Sequence, residues 1–219
     1  MSWVMEDLSS INLGDERLNN RVQKVCESFY QRPMSPINEA CQSWKDSKAA
    51  YRLFENEKVT AAKLLAPHRE ATAERVKSYK TVLAIQDTTF FNFSQHKRKR
   101  GMGSIESKKR NLKGLVAHNT LITTTDGVPL GLFDQEIYAR TGNKYEGKYY
   151  QVPIEQKEDF RWVRSAETVV SYMPEGIRAV NVCDREADIY EFLDSLQKRD
   201  ADFLVRSNHD RKVGQKKKR

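Results

Sequence analysis

The feature that most constrains this chain is a change of hydrophobic period near Thr81. Before it, apolar residues recur at helical spacing. Leu18, Val22, Val25 and Phe29 fall at i, i+4, i+7 and i+11 and predict a helix from about Asp15 to Gln31. Gly14-Asp15 opens that helix, Asp15 and Glu16 sit where its dipole favours carboxylates, and Arg32-Pro33 ends it. Ser35-Pro36 then predicts a restart, with Ser35 as cap and Ile37, Ala40, Cys41 and Trp44 as the buried face. A short helix over roughly Asp46 to Glu55 follows. A fourth, capped by Thr60, reaches about Tyr79 and is kinked or interrupted at Pro67.

From Thr81 onward the pattern is that of strands. Thr81 to Asp87 is short, apolar and β-branched, which predicts a buried strand with Asp87 at or near its end. Leu115–Thr125 and Val128–Ala139 are two more, joined at the hairpin signal Asp126-Gly127. Phe160–Tyr172 has helical spacing, with Phe160, Val163, Ala166 and Val170 on one side. Ile177–Cys183 is a strand ending at Asp184. Ala187–Gln197 is a helix with Ile189, Phe192, Leu193 and Leu196 as its apolar positions, and Asp202–Arg206 is a fifth strand. Ser94–Gly114 reads as an exposed, mobile basic loop, and Thr141–Glu158 as a polar excursion. The expected fold class is therefore α+β: a helical domain over residues 1–79, then a ribonuclease-H-like mixed sheet with helices over residues 80–219.

Composition narrows the partners. No stretch reaches ~18 consecutive apolar residues, so no membrane-spanning helix is expected. The start Met1-Ser2-Trp3-Val4-Met5-Glu6-Asp7 lacks a secretory signal pattern. Three cysteines and four histidines without Cys-x-x-Cys support neither a disulfide framework nor a structural zinc site. The expected location is cytoplasmic. The net charge of +8 is unevenly placed: residues 96–113 hold eight Lys/Arg against one Glu, and residues 206–219 hold seven against one Asp. Two concentrated basic segments on a near-neutral body suit a polyanion, although lysine-rich loops also simply solvate a surface.

Asp87 and Asp184 each follow an apolar run that predicts a strand. Two strands of one sheet ending in Asp bring both carboxylates to one edge, where oxygen ligands suit Mg²⁺ or Mn²⁺ and phosphodiester chemistry. Taken singly, each Asp is equally a strand-end turn or a helix cap. Glu186 lies two residues after Asp184, on the same segment as that Asp. Trp3, Trp44 and Trp162 read as core or capping residues, and His118 as a hydrogen-bonded structural residue.

Several blocks resemble the DDE transposases of bacterial insertion sequences, of the IS-four/Tn-five type. They are Leu13-Gly14-Asp15-Glu16-Arg17 through Arg21, Ala50-Tyr51-Arg52-Leu53-Phe54-Glu55-Asn56 and Ile85-Gln86-Asp87-Thr88-Thr89. Gly101-Met102-Gly103-Ser104-Ile105, Gly114-Leu115-Val116-Ala117-His118, Cys183-Asp184-Arg185-Glu186-Ala187-Asp188-Ile189 and Val205-Arg206-Ser207-Asn208-His209 follow in the family's order. The resemblance implies a helical domain that binds insertion-sequence ends, with Asp87 and Asp184 as the first two catalytic, metal-binding carboxylates. It implies double-stranded DNA contacts at Arg17, Arg21, Tyr51 and Arg52. Arg206 and His209, with Arg211 and Lys212, follow the fifth strand near the same edge and are placed to hold phosphate. Family members carry a third acidic residue, a Glu on a later helix within a Tyr…Arg…Glu…Lys pattern, and no Glu here takes that place. The expectation is a truncated, catalytically incomplete, bacterial and nucleoid-associated transposase with weak Mg²⁺ or Mn²⁺ binding. Its alternative is a DNA-binding fragment that occupies transposon ends without cutting. Pairing as a homodimer or with a full-length transposase is expected, since a sheet face lacking its helix exposes apolar surface.

Overall fold

The computed structural model describes residues 2–96, 98–105, 112–141 and 151–210. The chain divides into two compact units, Met1–Ser78 and Tyr79–Arg219.

The first unit is helical: α1 (Trp3–Asp7), α2 (Glu16–Gln31), α3 (Ile37–Ala40), α4 (Trp44–Phe54) and α5 (Ala61–Val76). Three of the caps form as polar side chains dictate. Asp15 accepts from the N–H groups of Arg17 and Leu18, Ser43 from Asp46, and Thr60 from Lys63. Val4, Leu8, Leu13, Val22, Val25, Cys41, Ala50 and Leu53 form the core. Buried Asp7 ties α1 to α5, accepting from Arg75 Nη1 at 2.6 Å and meeting His68 Nδ1 at 2.6 Å.

Three expectations for this unit are corrected. Pro36, not Ser35, occupies the cap position of α3, and no side chain caps that helix. The helix lasts four residues because Gln42 turns the chain with φ 59°, after which Ser43 starts α4 afresh. Trp44 therefore begins a new helix and is 77% exposed instead of lying on a buried face. Finally, α5 continues through Pro67 without interruption, and the proline itself is buried.

The second unit contains β1 (Thr81–Asn92), β2 (Gly103–Ser104), β3 (Lys113–Thr124), β4 (Pro129–Tyr138), α6 (Phe160–Tyr172), β5 (Arg178–Cys183), α7 (Tyr190–Lys198) and β6 (Asp202–Val205). The sheet order is β4-β3-β1-β5-β6, with β2 pairing the outer edge of β3 beyond the end of β4. β1, β3 and β4 are antiparallel neighbours, whereas β5 and β6 run parallel to β1. That is the ribonuclease-H-like order, reached because a tight hairpin joins β3 to β4 while helices carry the chain to β5 and β6. Gly127 takes φ +85° in the hairpin turn, as an Asp-Gly turn requires.

The face of the sheet bearing Val82, Ala84 and Gln86 is covered by α6 and α7, whose Trp162, Val163, Ala166, Phe192 and Leu196 are buried. The buried stripe of α6 is rotated from the expected one: Val170 is 51% exposed and Val169 takes its place. Trp162 sets this rotation, packing edge-on to His118 at 4.5 Å between ring centres. Alternation puts Leu83, Ile85, Val180 and Val182 on the opposite face, which carries neither α6 nor α7. There those four are only partly buried, and Leu204 is 66% exposed. Apolar surface is thus left on that face of the unit.

β1 also runs further than expected, so Asp87 lies within a strand. Pairing with β3 continues from Asp87↔Asn119 to Asn92↔Gly114, whereas pairing with β5 stops at Gln86↔Cys183. Gly114 permits this long ladder, since a Cβ there would stand 1.8 Å from the Phe91 carbonyl oxygen. Of the expected loop Ser94–Gly114, residues 97 and 106–111 lie outside the described residues, while Gly103–Ser104 form β2 on Lys113 and Gly114, and the Lys113 N–H donates to Ser94 Oγ at 2.9 Å. Among the described residues no helix is long and apolar enough to cross a membrane.

Candidate nucleic-acid interface and carboxylate edge

In the helical unit, the Leu13-Gly14-Asp15 block builds the entry to α2. Gly14 takes φ +75°, its N–H donates to Asn12 Oδ1 at 2.9 Å, and the Leu13 N–H donates to Asn19 Oδ1 at 2.9 Å. This turn fixes where Arg17 and Arg21 emerge, one helical turn apart. They line a groove of about 420 Å³ between α2 and α4, whose opposite wall carries Lys45, Lys48 and Arg52. Five cations therefore converge on one groove, with Asp15 the acidic residue among its lining. Asp46 beside it is neutralised: Lys24 Nζ bonds it at 2.7 Å, and that bond, with Ser43 and the charge of Arg21, lowers its carboxyl pKa.

Arg17, Arg21 and Arg52 are thus brought together as expected. Tyr51 is on α4 as well, 45% exposed but outside the groove lining. Lys45 and Lys48 were not singled out from sequence. Their signal was present, since Lys45, Lys48 and Arg52 fall at i, i+3 and i+7 of one helix.

In the sheet unit, continuing the β1–β5 register by one step sets Asp87 opposite Asp184, where β5 ends and β1 runs on. Both residues are exposed. Asp184 also serves as a cap: its Oδ1 accepts the Glu186 N–H at 2.9 Å and closes the single 3-10 turn Arg185–Ala187. Glu186 in turn meets Arg161 Nη2 at 3.1 Å. Arg161, only 4% exposed, donates from Nε to Thr88 Oγ1 at 3.2 Å. Thr88 Oγ1 stands 2.9 Å from His118 Nδ1, and His118 Nε2 stands 3.4 Å from Gln86 Oε1. Burial, followed by the charges of Arg161 and Arg164, lowers the His118 pKa to about 3. His118 is therefore a neutral structural imidazole, as its place in a strand suggested.

The segment after β6 is held at the same edge. The Arg206 N–H donates to the Cys183 carbonyl at 3.1 Å. The N–H groups of Asn208 and His209 donate to Asp188 Oδ2 at 2.7 and 2.9 Å, and Asp188 is buried. His209 thereby lines a recess of about 360 Å³ with Arg140, Arg161, Arg185 and Glu186. Arg206 and His209 consequently stand at the edge that carries Asp184. Arg211 and Lys212 lie outside the described residues. The carboxylate oxygens of Asp87 and Asp184 are suitable donors for Mg²⁺ or Mn²⁺. They number two, and among the described residues no group of three or more His, Cys, Asp or Glu side chains could hold a metal ion. The donor set falls short of a metal centre built from protein side chains alone.

Known proteins can be set beside this geometry. The solved piggyBac transposase synaptic complex with hairpin DNA has a TM-score of 0.41 and 11% identity to this chain, over 99% of it and 51% of that chain. The Mos1 strand transfer complex has a TM-score of 0.31 and 12% identity over 85% of this chain and 58% of that one. The Mos1 paired-end complex with the left transposon end has the same score and identity, over 85% and 59%. The chain spans between half and three-fifths of the length of these structures, and the fold assignment rests on its own strand order. Residues 1–59, which include the whole basic groove, match the transposase DNA-binding family.

Proposed function

We propose that this chain is a transposase-type DNA-binding protein that grips double-stranded DNA through the groove between α2 and α4. The observation that carries this reading is the convergence of Arg17, Arg21, Lys45, Lys48 and Arg52 within the segment similar to transposase DNA-binding domains. Cations so arranged contact phosphates and release counterions, giving affinity that falls steeply with salt. The finer reading is a bacterial insertion-sequence protein of the DDE, IS-four/Tn-five type acting on element ends. Its support is the order of the Asp-Thr-Thr and Cys-Asp-Arg-Glu-Ala-Asp blocks, and the register that sets Asp87 beside Asp184. In the same reading Asp87 and Asp184 supply two of the carboxylate ligands that metal-dependent phosphodiester chemistry uses, and occupation of element ends without cutting is the alternative that the experiment below separates from it. Metal use, and pairing with a second copy or a longer transposase, belong to the same proposal.

Titration of a fluorescent duplex carrying candidate end sequences tests it. The Arg17→Ala/Arg21→Ala/Arg52→Ala variant should bind more weakly, with a log–log salt slope reduced by about 2 to 3. Unchanged binding would shift the interface to the basic segments at 96–113 or 206–219. Incubation of the same duplex with Mn²⁺ tests for cutting, and an uncut duplex supports occupation of the ends alone. Specific nicks that vanish in Asp87→Ala and Asp184→Ala would overturn the binding-only reading and assign phosphoryl transfer to this pair.

A further inference from the structure

We infer that Trp44 is a direct nucleic-acid contact, a stacking platform at the lip of the basic groove that packs on a base or deoxyribose of the bound strand. The inference rests on the DNA-binding reading above and adds a contact of a different chemical kind. Gln42 and Ser43 together make Trp44 the first residue of α4, and its side chain is 77% exposed. At about 100° per residue, Trp44, Lys48 and Tyr51 fall on one stripe of α4. That stripe adjoins the Lys45 and Arg52 positions, which line the groove with Lys48. Seven residues of helix separate the two aromatics, a rise of about 10 Å.

Other exposed aromatics of this unit are engaged internally. Trp3 packs edge-on to Tyr30 at 5.2 Å, and Phe54 stacks on Phe29 at 6.3 Å. Trp44 and Tyr51 have no aromatic partner among the described residues, and they flank a row of cations. Aromatic faces alternating with Lys and Arg are the chemistry that holds a nucleic-acid strand, the cations tracking phosphates and the rings covering apolar faces. An indole also releases no condensed counterion when it binds. Its contribution should therefore be independent of salt, unlike that of the lysines.

The test combines fluorescence anisotropy of labelled DNA with tryptophan emission, at salt between about 50 and 200 mM. The full chain should show quenching on binding, and Trp44→Phe should lose most of that signal. Trp44→Ala should lower affinity by roughly 5- to 100-fold with an unchanged salt slope. Lys48→Ala should instead reduce the slope by about 0.9. Circular dichroism should be unaltered in both, since both side chains project into solvent. A blunt duplex and the same duplex with a three-nucleotide overhang separate the sources. Equal loss on both identifies a groove or sugar contact, and loss confined to the overhang identifies stacking on an unpaired base. Affinity of Trp44→Ala within twofold of the parent on both DNAs would overturn the inference while leaving the groove assignment intact. Absence of salt-sensitive binding by the parent chain would overturn the groove assignment itself.

Discussion

Acidification should destabilise the sheet unit through one residue, His118. Its side chain is fully buried beneath α6, edge-on to Trp162, with Nδ1 facing Thr88 Oγ1 and Nε2 facing Gln86 Oε1. A consistent assignment of protons has the Thr88 hydroxyl donate to Nδ1 and accept from Arg161, while Nε2–H donates to the Gln86 carbonyl. Protonating Nδ1 would place a second donor against a hydroxyl already hydrogen-bonded to a cation. Burial, followed by the charges of Arg161 and Arg164, lowers the folded-state pKa from 6.5 to about 3. Between these values the unfolded chain binds a proton that the folded chain refuses, so stability present above pH 6.5 is lost as pH falls towards 3. The slope is about 1.4 kcal/mol per pH unit, which makes the loss at pH 5 about 2 kcal/mol. Urea unfolding in a Trp3→Phe/Trp44→Phe background, where Trp162 is the remaining tryptophan, measures it by emission at pH 7.5 and pH 5. His118→Asn should be less stable than the parent at pH 7.5 because its packing is poorer. The gap between the two should narrow by about 2 kcal/mol at pH 5. Parallel stability curves for parent and variant would refute the reasoning.

Three further outcomes follow from backbone and ion-pair geometry. Gly114→Ala forces a Cβ against the Phe91 carbonyl oxygen, which cannot swing aside as a side chain can, and should cost about 3 kcal/mol or more by thermal melting. Gly127→Ala meets nothing within 4 Å and bears only the strain of φ +85°, so its cost should stay near 1–2 kcal/mol. Asp7→Ala leaves Arg75 and His68 without their shared carboxylate between α1 and α5. It should destabilise the helical unit by about 2–3 kcal/mol, below the full cost of breaking a buried pair because Arg75 is 38% exposed. Chemical denaturation followed by far-ultraviolet circular dichroism checks it.

What could be read without the structure is what depends on neighbours in sequence. The 3.6-residue period of Leu18, Val22, Val25 and Phe29, the Asp15 and Thr60 caps and the Asp126-Gly127 turn are local physics, and each element lies where its pattern put it. The element order then left few sheet topologies open, because parallel neighbours need a crossover and antiparallel ones a short turn. Trp44 was misplaced because burial depends on where a helix begins. The positive φ of Gln42 and the cap by Ser43 are decisions of three residues that periodicity averages away. Val170 and Val169 exchanged roles because the rotation of α6 is set by how Trp162 meets His118, a contact between residues 44 positions apart in the chain. The extent of β1 was decided by pairing to β3, which carries Asp87 into the middle of a strand whatever its own propensity. Convergence is likewise a tertiary property. Arg17 and Lys48 share a groove because α2 packs on α4, and His209 reaches the Asp184 edge because buried Asp188 holds its backbone there. The sequence by itself determined the kinds of element, their order and the residue chemistry available. Only the packed chain decided which faces are covered, where each ladder stops and which distant charges meet, since those depend on contacts that no local window contains.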